Sequence, residues 1–206
     1  NQKVYIFFFC FFSFFFSSFL GENSSGGSRL DNQITRQFID NFLISFDNGI
    51  KYLISSGQVL SPVFFLLTAF LEKLIGISFL KYLYVLISSF IPIIFYISLK
   101  KKFRGSNKNL LFFFSLIIFL SPYFRSSSSW LTTDNLATLF FILSISKFLS
   151  LERKKNYNNL FLCSFYLIIA TYIRQYYAIF FPLYFVLIFN SLTKKEISFL
   201  LLILVI

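Results

Sequence analysis

The chain has 206 residues, 34 of them phenylalanine, with a mean hydropathy of +0.74 and only 13% charged residues. A soluble domain needs more polar surface than this, so the composition excludes a single soluble core and predicts a membrane protein, with the lipid bilayer as its solvent. The formal charge of +11 would suggest nucleic acid for a soluble protein. Here Lys and Arg fall in short clusters between apolar runs, and no nucleic-acid partner is predicted.

The sequence contains no histidine, which excludes a Ser-His-Asp triad, a histidine general base and a histidine metal ligand within these residues. Its two cysteines, Cys10 and Cys163, both lie in apolar runs. We predict that they are buried packing thiols. Because the sequence starts at Asn1 and stops inside an apolar run, we expect a fragment at both ends.

The first apolar run, Val4 to Leu20, is long enough to cross a hydrocarbon core. A signal peptide is the alternative interpretation, but the run lacks a small-residue cleavage site, which favours a retained anchor. Six further spans are predicted from the apolar runs that follow, at Ile77 to Leu99, Leu110 to Leu120, Leu136 to Leu151, Leu160 to Ile173, Tyr176 to Phe189 and Ile197 to Ile206.

Between the first two spans, residues 21–76 are predicted to form a long outer loop with helices of its own. Mixed apolar and polar positions predict short helices at Gln33 to Leu43 and at Asn48 to Ile54. The apolar run before Glu72 is too short to cross a bilayer. We therefore predict that Pro62 to Ile75 forms an interfacial juxtamembrane helix.

Three basic clusters, Lys100 to Lys108, Glu152 to Lys155 and Lys194 to Glu196, are assigned to the cytoplasmic face by the positive-inside rule. Two apolar runs separate each cluster from the next, which is the even number of crossings that the assignment requires. The apolar run Leu110 to Leu120 is short for a span, so we expect its crossing of the membrane to include the first residues after Ser121. The result is seven spans, with a second outer loop at residues 121–135.

Two aspartates are candidate site residues on the outer face. Asp134, in "LTTDNLATLF", precedes an apolar run and is interpreted either as a helix N-cap or as a site carboxylate next to the membrane. Asp31, in the first outer loop, is interpreted either as an ordinary solvated residue or as a second site carboxylate. The topology places both of them on the same face of the membrane.

Arg174 lies in "IIATYIRQYYAIFFP", at the outer junction of two apolar runs. Its side chain would either snorkel to lipid phosphates or bind the phosphate of a lipid-linked substrate, because a guanidinium group matches phosphate geometry. Arg125, in the second outer loop, is a candidate of the same kind.

Several of these motifs together resemble the C-type glycosyltransferase superfamily, which includes mannosyltransferases and aminoarabinose transferases. They are a Pro-led apolar segment ending in "KLIG", a span ending in the basic turn "KKKFRG", the proline of "LSPYF", and Thr133-Asp134 in "LTTDNLATLFF". Asp31-Asn32, in "LDNQITRQF", stands where these enzymes often carry a catalytic Asp-Glu pair. The motif "YIRQYYAIFF" is similar to the Arg-Gln motif of the glucosyltransferases that use dolichyl-phosphate-glucose.

This resemblance implies an all-α polytopic domain, of which residues 1–206 are the N-terminal part, in a bacterial inner membrane or the endoplasmic reticulum membrane. The implied activity is inverting transfer of a hexose or pentose at the outer or luminal face. The donor is a polyprenyl- or dolichyl-phosphate sugar, and the acceptor is a lipid-linked glycan, a lipid or a protein.

The resemblance also implies roles for individual residues. Asp31 and Asp134 are the catalytic carboxylates and would be the ligands of a divalent metal ion, if one is used. The substrate phosphate is assigned to Arg174 and Arg125, and support within the first loop to Asn32, Arg36 and Asp40. Asn32 replaces the glutamate of the family pattern, so Asp40 and Asp47 stay open as alternative bases.

Two other classes of protein stay open at this stage. A transporter or channel fragment should carry ionisable groups or helix breaks in mid-membrane, and only Lys147 and Pro92 come near that pattern. A non-catalytic membrane protein is the other class. It predicts that Asp31 and Asp134 do not converge.

Overall fold

The computed structural model describes residues 2–23, 27–57, 61–153 and 156–189. Within these ranges all regular secondary structure is helical, which confirms the all-α prediction for this part of the chain. The α-helices are α1 Gln2–Leu20, α2 Gly27–Ile44, α3 Phe46–Ser55, α4 Val63–Lys102, α5 Lys108–Leu116, α6 Pro122–Ser129, α7 Thr133–Arg153, α8 Tyr157–Ile173 and α9 Phe180–Phe189. Two 3-10 turns, Ile117–Leu120 and Gln175–Ile179, lead into α6 and α9.

Three of these helices, α1, α4 and α7, are long and apolar enough to cross a membrane. A fourth candidate span is the pair formed by Lys108–Leu120 and Pro122–Ser129, whose two halves are bent by 71°. The described residues are therefore compatible with a multi-pass membrane protein that has three to four candidate spans. The predicted last span, Ile197 to Ile206, lies outside the described residues.

The long helix α4 is broken at Gly76, whose backbone angles, φ 77° and ψ 157°, are not helical. Such a positive φ is open to glycine and strained for other residues, because glycine has no Cβ. Residues 63–75 and 77–102 are therefore two helices that meet at a kink. The kink falls at the glycine of "KLIG", where the sequence predicts that the juxtamembrane helix ends.

The polar segment that follows α1 contains two helices, as its sequence pattern predicts. The segment Gln33 to Leu43 lies inside α2, and Asn48 to Ile54 lies inside α3. The oxygen of Ser45 accepts a hydrogen bond from the backbone N–H of Asn48 at 3.1 Å and caps α3.

The predicted second outer loop, residues 121–135, contains the short and largely buried helix α6. Ser121 caps α6 by accepting from the backbone N–H of Phe124, and Pro122 occupies the first helical turn. Three consecutive serines, Ser126 to Ser128, are fully buried, and the hydroxyl of Ser28 contacts Ser126 at 2.7 Å. The run before Ser121, whose crossing the sequence predicts to include the first residues after Ser121, meets α6 at a bend of 71° and forms a candidate span together with it.

Two buried apolar clusters hold the helices together. The first joins α2 and residues 63–75 to α7 and α8, and it includes Phe38, Phe64, Phe65, Ala137, Leu160 and Cys163. The second joins α1 to the later part of α4, α5 and α6, and it includes Ile6, Cys10, Phe14, Val85, Leu111 and Phe124. Both cysteines are free and buried, which confirms the prediction of packing thiols. Outside these clusters α1 exposes several phenylalanines, an outer surface suited to lipid.

Candidate functional site

Four side chains from four separate segments meet at one place. Asp31 lies on α2, Tyr123 on α6, Asp134 on α7, and Arg174 directly after α8. The Tyr123 hydroxyl lies 2.5 Å from Asp31 Oδ2 and 3.1 Å from Asp134 Oδ2. Arg174 Nη2 donates to Asp134 Oδ2 at 2.7 Å. We call these four residues the carboxylate cluster.

The cluster brings together the two aspartates that the sequence singles out. Because both carboxylates contact the same hydroxyl, the distance between Asp31 Oδ2 and Asp134 Oδ2 cannot exceed the sum of those two contacts. The Tyr123 hydroxyl has only one hydrogen, so it donates to one carboxylate at a time. The shorter contact, to Asp31, is the stronger hydrogen bond.

Arg174 and Asp134 form a half-buried ion pair, with their side chains 29% and 16% exposed. Burial lowers the pKa of Arg174. The hydrogen bond to Asp134 and the negative charge of that carboxylate raise the pKa by more than burial lowers it, so the net shift is upward. Arg174 therefore stays charged. Its Nε is buried with no partner, and its Nη1 makes no hydrogen bond to a described residue.

Asp134 is held in place through its neighbours in the chain. The hydroxyl of Tyr84 on α4 donates to the carbonyl of Thr132, and Asn135 Nδ2 donates to Ser88 Oγ at 3.1 Å and to the Phe124 carbonyl at 3.2 Å. These buried bonds tie the start of α7 to both α4 and α6. They fix the direction in which the first turn of α7 presents its carboxylate.

The interpretation of Asp134 as a helix N-cap is wrong. Asp134 lies inside the first turn of α7, and among the described residues its carboxylate bonds only to Tyr123 and Arg174. The positive end of the helix dipole still favours a negative charge at this position.

Arg174 is positioned by the end of α8 and the 3-10 turn that follows. Its backbone N–H donates to the Ala170 carbonyl at 2.8 Å, and its own carbonyl accepts from Tyr177 at 3.2 Å. The Tyr177 hydroxyl in turn lies 3.0 Å from Thr138 Oγ1 on α7. The same turn of chain that carries Arg174 is therefore anchored to the helix that carries Asp134.

The predicted first-loop residues Arg36 and Asp40 lie outside the carboxylate cluster. Arg36 binds both oxygens of Glu72, at 2.5 and 2.7 Å, and also Asp40 at 2.7 Å. The hydrogen bond to Glu72 raises the pKa of Arg36, so this guanidinium group stays charged. These bonds join α2, which carries Asp31, to residues 63–75 of α4. The side chain of Asn32 makes no hydrogen bond to a described residue.

Glu72 should contribute more to stability than Asp40, although both bind Arg36. The Glu72 side chain is 12% exposed and doubly bonded, whereas Asp40 is 53% exposed and belongs to a pair within one helix. Glu72→Gln should lower the free energy of unfolding by about 1–2 kcal/mol, and Asp40→Asn should hardly change it. Thermal unfolding of the two purified variants in detergent measures the difference. Equal losses would contradict the assignment of Glu72 as the main partner of Arg36.

The other predicted phosphate-binding residue, Arg125, is engaged elsewhere. Its Nη2 forms an ion pair with Glu22, which follows α1, and its guanidinium carbon lies 5.6 Å from the ring centre of Phe119. Among the described residues it makes no hydrogen bond or ion pair to the carboxylate cluster. Of the two predicted arginines, the structure brings only Arg174 to the aspartates.

Tyr123 is the member of the cluster that the sequence does not single out. It lies between Pro122 and Phe124, and tyrosine is common in membrane proteins, so the local pattern does not mark it. Its sequence signal is weak. A hydroxyl at the first turn of a Pro-led helix, eleven residues before Asp134, becomes meaningful only when α6 is placed against α2 and α7.

The carboxylate cluster offers two carboxylates as candidate ligands for a metal ion. Groups of three or more Asp, Glu, His or Cys side chains able to hold a metal ion are absent from the residues that the structure describes. Asp31 and Asp134 are the two carboxylates that would hold one. Asp31 Oδ2 already accepts from Tyr123 and Asp134 Oδ2 from Arg174, so the arrangement fits a divalent ion poorly.

Comparison with family models, with curated proteins and with solved structures finds no match to this chain. The resemblance to the C-type glycosyltransferases therefore stays a prediction from sequence motifs. The functional interpretation rests on the geometry of the carboxylate cluster and on general chemistry.

Proposed function

We propose that this chain is part of an integral-membrane glycosyltransferase that moves a sugar from a polyprenyl- or dolichyl-phosphate donor to a glycan, lipid or protein acceptor. One observation carries the proposal. Asp31 and Asp134, from two different outer segments, contact the same Tyr123 hydroxyl beside the charged Arg174. A general base next to a phosphate-binding cation is the pairing that this transfer requires.

The proposed topology has seven spans, with the carboxylate cluster at the outer or luminal face of a bacterial inner membrane or the endoplasmic reticulum membrane. Residues 63–75 of α4 form the juxtamembrane helix. The charge pattern of single helices supports this orientation: α7 has Asp134 in its first turn and Arg153 in its last. Likewise, α4 ends in three consecutive lysines, Lys100 to Lys102.

In the proposed reaction the acceptor hydroxyl oxygen attacks the anomeric carbon of the donor sugar. The bond from that carbon to the phosphate oxygen breaks, and the lipid phosphate leaves with the electron pair. Asp31 takes the proton of the acceptor hydroxyl, and inversion at the anomeric carbon follows from direct attack. Asp31 Oδ2 holds Tyr123, while Oδ1 makes no hydrogen bond to a described residue and is the oxygen assigned to the proton.

Arg174 is proposed to stabilise the charge that develops on the leaving phosphate. Asp134 takes one of its terminal nitrogens, Nη2, and orients the guanidinium plane. Nη1 is then the donor assigned to the phosphate. Asp134 acts through Arg174 and Tyr123 and is a positioning residue in this mechanism.

Among the alternative bases, Asp40 is bonded to Arg36, and Asp47 lies exposed in the first turn of α3. Neither contacts the carboxylate cluster, which favours Asp31 as the base. The same convergence disfavours a non-catalytic protein, for which Asp31 and Asp134 have no reason to meet. We find no observation among the described residues that specifically favours a transporter or channel.

The proposal is tested with the full-length protein in detergent or liposomes. Labelled sugars are supplied either as polyprenyl-phosphate or dolichyl-phosphate donors or as nucleotide sugars, together with membrane glycolipid and protein acceptors. We expect transfer from a lipid-phosphate donor and none from a nucleotide sugar, since the site offers one cation for one phosphate. Transfer that requires a nucleotide sugar, or no transfer from any lipid-phosphate donor, would refute the proposed function.

Tyr123 is expected to position the two carboxylates without itself touching the reacting atoms. Tyr123→Phe removes the shared hydroxyl and keeps the ring, so kcat should fall about tenfold, the value of one hydrogen bond to a charged group. The KM for the donor should stay unchanged, because Arg174 is untouched. Tyr157→Phe, at an exposed tyrosine that starts α8, is the matched control. A higher KM with unchanged kcat would place Tyr123 at the donor instead.

A further inference from the structure

A groove of about 230 Å3 lies between the end of α1 and the part of α4 that follows Gly76. It is lined by Ser18, Phe19, Ser78, Lys81 and Tyr82. None of these residues belongs to the carboxylate cluster. One wall therefore carries a cation and hydroxyl groups, while Phe19 beside them is a largely exposed apolar ring.

Lys81 is an exposed cation on an apolar helix, and it forms no ion pair with a described residue. Two lysines at the far end of α4, by contrast, have polar partners. Lys101 donates to Ser146 and Ser150, and Lys102 pairs with Glu152. An ammonium group on a lipid-facing helix needs water or an anion, because burying it unpaired in hydrocarbon is costly. Its partner must come from outside these residues.

The place of Lys81 along α4 indicates what that partner is. It lies five residues after the kink at Gly76, roughly 7 Å along the helix axis. It is at the opposite end of the helix from Lys100 to Lys102, so it does not belong to the basic cytoplasmic turn. With the kink at the membrane surface, as in the proposed topology on which this step rests, a lysine side chain at this depth reaches the phosphate layer of a bilayer.

We propose that this groove binds the phosphate group of an anionic bilayer phospholipid. Lys81 pairs with the phosphate, and the hydroxyls of Ser18 and Ser78 donate to its oxygens; neither side chain has a hydrogen bond to a described residue. The acyl chains lie along the exposed rings of Phe19 and Phe79. A bilayer lipid, rather than the sugar donor, is assigned because the groove opens on the apolar outer surface and shares no residue with the carboxylate cluster.

The site is independent of the proposed transfer reaction, and its test does not need activity. The full-length protein in detergent is titrated with phosphatidylglycerol, with phosphate-free diacylglycerol and with polyprenyl phosphate, and bound lipid is counted by native mass spectrometry. Four proteins are compared: wild type, Lys81→Gln, Ser78→Ala, and Lys73→Gln as the matched control. Lys73 is also an exposed lysine of α4, but it precedes the kink and is not part of the groove.

We expect Lys81→Gln to lower phosphatidylglycerol occupancy about fivefold, the effect of one cation near an anionic lipid. Lys73→Gln should behave as wild type, and diacylglycerol should bind all four proteins equally. Ser78→Ala should lower the occupancy less than Lys81→Gln does. Equal phosphatidylglycerol occupancy in wild type and Lys81→Gln would overturn the proposal. So would a Lys81 dependence seen only with polyprenyl phosphate, which would assign the groove to the sugar donor.

Discussion

Asp31→Asn should lower the kcat of sugar transfer by about 100-fold to 10,000-fold, the range that a positioned general base contributes. Asparagine keeps the shape of the side chain and can still accept the hydrogen bond from Tyr123, so the packing of α2 against α6 should survive. What is lost is the oxygen that takes the proton of the acceptor hydroxyl. The thermal unfolding midpoint should therefore change little while the rate falls steeply.

The measurement is single-turnover transfer from the lipid-phosphate donor, with Asp47→Asn as the matched control. Asp47 lies between α1 and α4, as Asp31 does, but in the first turn of α3, exposed and away from the carboxylate cluster. Its variant should transfer sugar at the wild-type rate. A large loss in Asp47→Asn together with full activity in Asp31→Asn would move the base from α2 to α3.

Asp134→Asn should impair both transfer and stability, which distinguishes it from Asp31→Asn. Its carboxylate is the only partner of the Arg174 guanidinium group among the described residues, and Arg174 Nε is already buried without an acceptor. Removing the countercharge leaves a half-buried cation, at a cost of about 2 kcal/mol in the free energy of unfolding after allowance for its exposed fraction. Transfer should fall about 100-fold, because Arg174 is no longer aimed at the phosphate.

Glu152→Gln is the matched control for this second prediction. Glu152 lies on the same helix α7, where it pairs with Lys102 at 3.8 Å, and both of these side chains are about half exposed. Loss of that pair should not change stability or transfer measurably. Arg174→Gln should reproduce the loss of transfer, and combining it with Asp134→Asn should cause little further loss. If Asp134→Asn keeps the wild-type rate, Arg174 does not need this partner.

The helices of the membrane part follow directly from the sequence, because long apolar runs such as Val4 to Leu20 have few other stable conformations in lipid. The kink at Gly76 is likewise predictable, since glycine ends the apolar segment that is too short to cross. The helix α6, in contrast, is not predictable from the sequence. Its serines have no strong helical preference, and the segment is helical because Ser126 and its neighbours are buried against α1, α2 and α7.

For the site, the sequence predicts that Asp31, Asp134 and Arg174 share one face of the membrane, because counting charges and crossings is enough for that step. It does not predict that they touch, since contact depends on how α2, α6 and α7 pack. Tyr123 and the Arg36–Glu72 pair are missed for the same reason: each joins residues that are far apart in the chain. The pairing of Arg125 with Glu22, which removes one candidate from the cluster, is also a product of packing.

The central claim is that Asp31 and Asp134 work as one unit in one site. A double-mutant cycle on the rate of sugar transfer tests it most directly, using wild type, Asp31→Asn, Asp134→Asn and the double variant of the full-length protein. Residues that act together are strongly non-additive, so the double variant should be about as slow as the slower single variant. A double variant whose loss equals the product of the two single losses, or single variants that transfer sugar at the wild-type rate, would contradict the account.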